Sequence, residues 1–138
     1  MPLPHAAILQ AVHAALTAAL SVDVRYAGAG GDAPDTYVAL QMLPATPRDT
    51  LTSRGYDAQF VCRVHTEHAI GHAAPLAAYS LADQVDTALE GATLDLGAEH
   101  AALDVQSPTR DENQYSIDQG REALDVILTF TILTQQTV

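Results

Sequence analysis

Residues Tyr56–Thr66 read YDAQFVCRVHT, an alternation that decides the fold. Tyr56, Ala58, Phe60, Cys62 and Val64 fall on one side of a period of two, and Asp57, Gln59, Arg63 and His65 fall on the other, which predicts a half-buried strand. On this pattern His65 is a solvent-facing member of the pleat. The apolar face needs a covering layer, and Pro75–Glu90 supplies one. There Ala78, Leu81, Val85 and Leu89 form a helical stripe, with Pro75 at its start and Gly91 as its stop. Strand and helix are expected to cover one another.

Outward from this pair, Ile8, Val12, Leu16 and Leu20 recur every four residues and predict a first helix over Pro4–Leu20. VRYA, starting at Val24, reads as a short strand. In Thr36–Leu43 the residues Val38, Leu40 and Met42 share one face of a second. The polar stretch Pro44–Gly55 is too long for a tight turn, and reads either as a solvated excursion between antiparallel strands or as a contact loop for a partner. Brief strands are predicted at Thr93–Leu96 and around Leu103 and Val105. Pro108–Arg121, with Arg110, Asp111, Glu112 and Asn113, reads as a turn or projecting hairpin tip. Glu122–Thr134 is the strongest strand: Leu124, Val126, Leu128, Phe130 and Ile132 share a face, with Asp125, Thr129 and Thr131 on the other. Ile127 and Leu133 make that second face partly apolar, so it is expected to be covered in places by the fold or by a neighbouring subunit. Helix, strands, helix, strands in that order predicts an α+β fold, a mostly antiparallel sheet with two helices packed on one face. The 138 residues, 48% hydrophobic, suit a single domain over 1–138.

Charge narrows the functions. Against 17 Asp and Glu the only cations are 6 Arg, with no Lys, for a formal net charge of -11. Nucleic-acid binding rests on clustered Lys and Arg releasing counterions, and no such cluster exists here. An acidic wall can still let DNA slide past without gripping it. The lone Cys62 has no intrachain partner and reads as a small buried hydrophobe. MPLPHAAILQ has no basic leader region, and no apolar run approaches the roughly 18 residues that cross a bilayer, so a soluble, intracellularly made protein with no membrane contact is expected.

The missing lysine removes the Walker A motif, Schiff-base chemistry and nucleases built on a catalytic Lys. GAGGDAP, from Gly28, lacks the Lys-Ser/Thr ending of a phosphate-binding loop and reads as a plain turn. No G-x-S-x-G elbow exists. His65, His68 and His72 stand at H-x-x-H-x-x-x-H spacing. If helical, they would share one face and could serve a small metal-dependent hydrolase. Gly71 and Pro75 interrupt any helix there, and no H-E-x-x-H occurs, so neither a metal nor a cofactor is expected. Asp83, Asp86 and Glu90 read as the wet flank of the second helix rather than an acid–base pair. The chain is not expected to be an enzyme.

The succession AILQAVHAALTAAL, DTYVALQML, YDAQFVCRVHT, APLAAYSLADQVDTALEG, TLDL, SPTRDENQYS and EALDVILTFTIL resembles the tail-completion and tail-terminator proteins of long-tailed phages, prophages and gene-transfer particles. The likeness runs from about Ala6 to Leu133 and is one of element order and texture, without a chemical motif. It implies a structural virion protein, made in the bacterial cytoplasm and placed at the neck end of the tail. Such proteins form rings, typically of six subunits, that cap the tail tube, stop its polymerisation and provide the surface for head joining. The implied partners are further copies of the chain, the major tail tube protein and a neck or head-completion protein, with DNA passing through the lumen. A neck or head–tail connector subunit is the nearest alternative. The family brings no catalytic or cofactor residues. Charges at projecting loops set register and partner choice, so Arg48, Asp49 and Arg54 in the first loop and Arg110, Asp111 and Arg121 in the second are predicted to contact a neighbouring subunit or the tube.

Overall fold

Ile8, Val12, Leu16 and Leu20 are all buried, as a four-residue spacing requires of a helix with one covered stripe. The first three lie in α1 (His5–Ala19), and the helix finishes where the Leu20 amide donates to the Leu16 carbonyl at 2.8 Å. The computed structural model describes residues 5–28, 34–44, 46–49, 54–69, 74–90, 92, 94–97 and 100–136. After α1 come β1 (Asp23–Tyr26), β2 (Thr36–Met42), β3 (Thr46–Asp49), β4 (Arg54–Ala69), α2 (Ala74–Leu89), β5 (His100–Val105), β6 (Thr109–Asp118) and β7 (Arg121–Gln136). The strands form one sheet in the order β1-β2-β4-β7-β5, with β3 added beside β4 and β6 beside β7. Among the described residues only β1 and β2 run parallel, and every other pairing is antiparallel. This is the expected α+β class.

The central ladder joins β4 to β7 without a break from Gly55↔Gln135 to Ala69↔Arg121. Each of its two strands has 16 residues and therefore spans about 50 Å at ~3.4 Å per residue. One face of that ladder is a continuous apolar layer: Ala58, Phe60, Cys62 and Val64 from β4, and Leu124, Val126, Leu128, Phe130 and Ile132 from β7. Phe60 and Phe130 are direct cross-strand partners, their rings stacked with centroids 5.1 Å apart. α2 lies on β4 and β7, α1 lies on β1 and β2, and the helices touch each other, so both cover the same face. Each fully buried large side chain in this layer contributes about 1.5–3 kcal/mol.

Four segments differ from their sequence-based expectation. Within Pro44–Gly55, residues 46–49 are a strand, β3, in register with the start of β4 as Asp49↔Arg54 and Arg48↔Gly55. Pro108–Arg121 is not a loop: it is β6, nine of whose ten residues pair with β7, with Ile117 skipped at a register shift, and only Gln119 and Gly120 make the turn. Gly120 has a φ of 84°, a left-handed conformation that a side chain would strain. Leu94 and Leu96 are buried in the core but not in a strand, and β4 runs three residues beyond Thr66. No helix among the described residues is long and apolar enough to cross a membrane.

Candidate functional site

Among the described residues no helix lies on the opposite face of the sheet, whose side chains come from alternate residues of β2, β4, β7 and β6. On that face, at the end of the ladder nearest Ala69, polar groups converge on His65. Its Nδ1 lies 2.6 Å from Asp125 Oδ1 on the adjacent strand, and its Nε2 lies 3.1 Å from Glu67 Oε1 two residues along its own. The register His65↔Asp125 places the first pair directly across the ladder, and period two puts Glu67 beside the same ring. Carboxylates only accept, so the ring satisfies both when each nitrogen carries a proton.

Aromatic groups close over this hydrogen-bonded cluster. Tyr37, opposite His65 in the β2–β4 register, stacks on the imidazole at 4.7 Å, and Arg25 lies over the Tyr37 ring at 5.1 Å. From β6, the Tyr115 hydroxyl donates to Asp125 Oδ2 at 3.4 Å. Burial and the neighbouring Asp125 carboxylate push the Tyr115 phenol pKa up, and Arg63 offsets part of this. Arg121 ends the array, reaching Asp35 at 3.2 Å and Glu67 at 3.4 Å, and its hydrogen bond to Asp35 raises its pKa further. His65 is therefore only 5% exposed, which corrects its placement as a solvent-facing pleat residue. Neighbouring side chains shut it from water on a face that no helix covers.

This arrangement holds rather than reacts. Both imidazole nitrogens are committed to carboxylates, which leaves neither to take a proton from a substrate. His65 and His68 are three apart on a strand, so they face opposite sides of the sheet. His68 is buried on the helix side, its Nε2 3.7 Å from Glu122. His72 lies outside the described residues. The first two members of the His spacing thus cannot share an ion, and among the described residues no three His, Cys, Asp or Glu side chains form a metal-binding group. Cys62 is fully buried, and desolvation drives its thiol pKa up, as expected of an inert core residue.

The predicted contact residues separate into two groups. Arg48, Asp49 and Arg54 occupy the end of the β3–β4 hairpin, with their side chains outside the described residues. Arg110 and Asp111 stand along β6 instead of at a tip, and Arg121 opens β7. Arg110 reaches back to α2, 2.6 Å from Asp83 and 3.7 Å from Asp86. Asp83 and Asp86 are thus ion-pair partners as well as a wet flank. Asp111 is exposed on the outer face of the sheet. Gly30, Gly31 and Asp32 of the Gly-rich loop lie outside the described residues.

The sequence did not reveal Tyr37, Glu67 and Tyr115 as one cluster with His65 and Asp125, because their meeting depends on a register between residues 60 apart in the chain. The only local signal was a His and an Asp on the wet sides of two otherwise apolar strands.

No family model and no curated protein matches the chain. Its fold is similar to that of a solved chain described as "Virion of native gene transfer agent (GTA) particle", with a TM-score of 0.66 and 21% identity over 93% of this chain and 96% of that one.

Proposed function

We propose that the chain is a structural virion protein that forms a ring at the end of a tail tube, ends its polymerisation and offers the surface on which the head is joined. The observation that carries this reading is the fold similarity to a chain of a gene transfer agent virion over almost the full length of both. A net charge of -11 without lysine is compatible with a lumen that DNA crosses without adhering. A mainly polar sheet face held by ion pairs and stacked rings suits a rigid wall better than a reaction site. In this role the β3–β4 hairpin with Arg48, Asp49 and Arg54 and the β6 strip with Arg110 and Asp111 contact neighbours. The partners are further copies of the chain, the tube subunit and a head-completion protein.

The test is tube-length control. Added to polymerising tail tubes of its own particle, the protein is expected to bind one tube end and narrow the length distribution. Binding only to a head-side connector ring would favour the neck-subunit alternative, and binding to neither would overturn the tail reading.

A further inference from the structure

Along the centre of the helix-free face, the outward positions are Gln59, Val61 and Arg63 of β4 and Ile127, Thr129 and Thr131 of β7. None is acidic, in a chain with 17 Asp and Glu and a net charge of -11. Depletion of charge marks the centre of a protein contact better than apolar content does. Val61 and Ile127 are half-buried, and with Ala27, Ala39, Gln41 and Arg63 they line a hollow of about 300 Å³. Among the described side chains Arg25, Arg110 and Arg121 each meet a carboxylate, whereas Arg63 is exposed and meets none. Asp111 is likewise exposed, with no cation within ion-pair distance among the described residues. These two charges belong to one row of the sheet, because Arg63 and Asp111 are the partners of Ile127 on its two sides. Each stands one strand spacing, about 4.8 Å, from Ile127, with opposite sign.

We propose that this face packs on the same face of a second copy of the chain, about a two-fold axis that runs along β7 and passes over Ile127. A half-turn about that axis exchanges the two sides of the row. Arg63 of each copy then faces Asp111 of the other, and the two Ile127 side chains meet between these pairs. Thr109 shares the next row with Val61, so β6 of the second copy lies over β4 and its Thr109 and Asp111 enter the hollow. Stacked sheets lie about 10 Å apart with their strands within about 30° of each other, a geometry this contact satisfies. Charge selects the occupant. An acidic surface answers Arg63 but opposes Asp111, a basic one does the reverse, and the face itself carries both signs at the separation required. β6 is already fixed by Arg110 on Asp83, Tyr79 on Glu112 and Tyr115 on Asp125, so little order has to be gained on binding. The contact is isologous, so two copies complete it and it does not propagate. It goes beyond the ring reading and does not depend on it: a ring uses head-to-tail contacts, and the two together give a pair of stacked rings.

A residue on a two-fold axis meets itself, so a single substitution tests the geometry. With a short bis-maleimide, Ile127→Cys is expected to give a covalent dimer, while Gln84→Cys on the exposed side of α2 gives none; buried Cys62 does not compete. Circular dichroism checks that each variant is folded. Sedimentation equilibrium supplies the charge arm. Arg63→Asp reverses two pairs at once and is expected to weaken the dimer at least about tenfold, as is Asp111→Arg. Combining the two restores opposite signs and should recover most of that loss. Failure of folded Ile127→Cys to link at every concentration would overturn the proposal, as would equal linking through Gln84→Cys or no recovery in the double variant. Rings without the Ile127 link would overturn this contact and leave the ring reading intact; linked dimers without rings would do the opposite.

Discussion

His65 Nδ1 lies 2.6 Å from Asp125 Oδ1, and both side chains are buried on the sheet face that no helix covers. Removing one partner of such a pair leaves the other desolvated without compensation, which costs more than the pair itself contributes. Asp125→Ala is expected to lower the unfolding free energy by about 3 kcal/mol in urea titrations at neutral pH. Glu67→Ala, at a partner 26% exposed, should cost distinctly less. In a double-mutant cycle, His65→Ala and Asp125→Ala together should cost less than the sum of the two. Strict additivity would show that the pair does not hold the outer face.

The stack of Phe60 on Phe130 is the centre of the opposite layer, and both rings are fully buried. Phe130→Ala should destabilise the chain by about 3–5 kcal/mol through lost burial and a residual cavity. A loss under about 1 kcal/mol in thermal or chemical unfolding would contradict this packing.

These two pairs mark what was and was not legible in the amino-acid sequence. Phe60 and Phe130 are members of clean period-two stripes, so their strands and buried faces follow from local spacing. His65 and Asp125 sit on the polar sides of the same strands, where spacing predicts water and only the cross-strand register reveals a partner. β6 escaped because both its faces are exposed, which erases the alternation that identifies a strand. β3 escaped because four residues containing a proline give no periodic signal. The contact residues gained a location from the structure: Arg110, read as part of a tip, belongs to a strand braced against α2.

That brace is between exposed groups, Arg110 at 38% and Asp83 at 68%, and solvent screens it. Arg110→Ala should therefore change stability by no more than about 1 kcal/mol. Since Arg110 neutralises part of an acidic strip, its charge reversal should alter assembly far more than folding. The comparison needs denaturation and light scattering on the same sample.

Tyr115 gives a pH prediction. Burial and the adjacent Asp125 carboxylate disfavour its phenolate, so it ionises above the usual value of about 10. A raised folded-state value means that the native chain favours the neutral phenol. The associated stability is complete below the unfolded-state value and is lost as pH rises through the folded one. In an alkaline absorbance titration, Tyr115→Phe should remove a late-ionising component; removal of an early one would reverse the assignment.

Cys62 should resist alkylation in the native chain and react on denaturation, because desolvation keeps its thiol protonated. Rapid native labelling would show that the helices do not seal the central strand.

The central claim, that this fold serves as a ring, is tested most directly by native mass spectrometry combined with electron microscopy of the purified 14.6-kDa chain across a range of concentrations, alone and with tail tubes. The account predicts closed rings of one size, six-fold by resemblance to tail terminators, with the acidic wall around an open lumen and the ring seated on a tube end. A chain that stays monomeric at every concentration, and remains so when tubes are present, would contradict it.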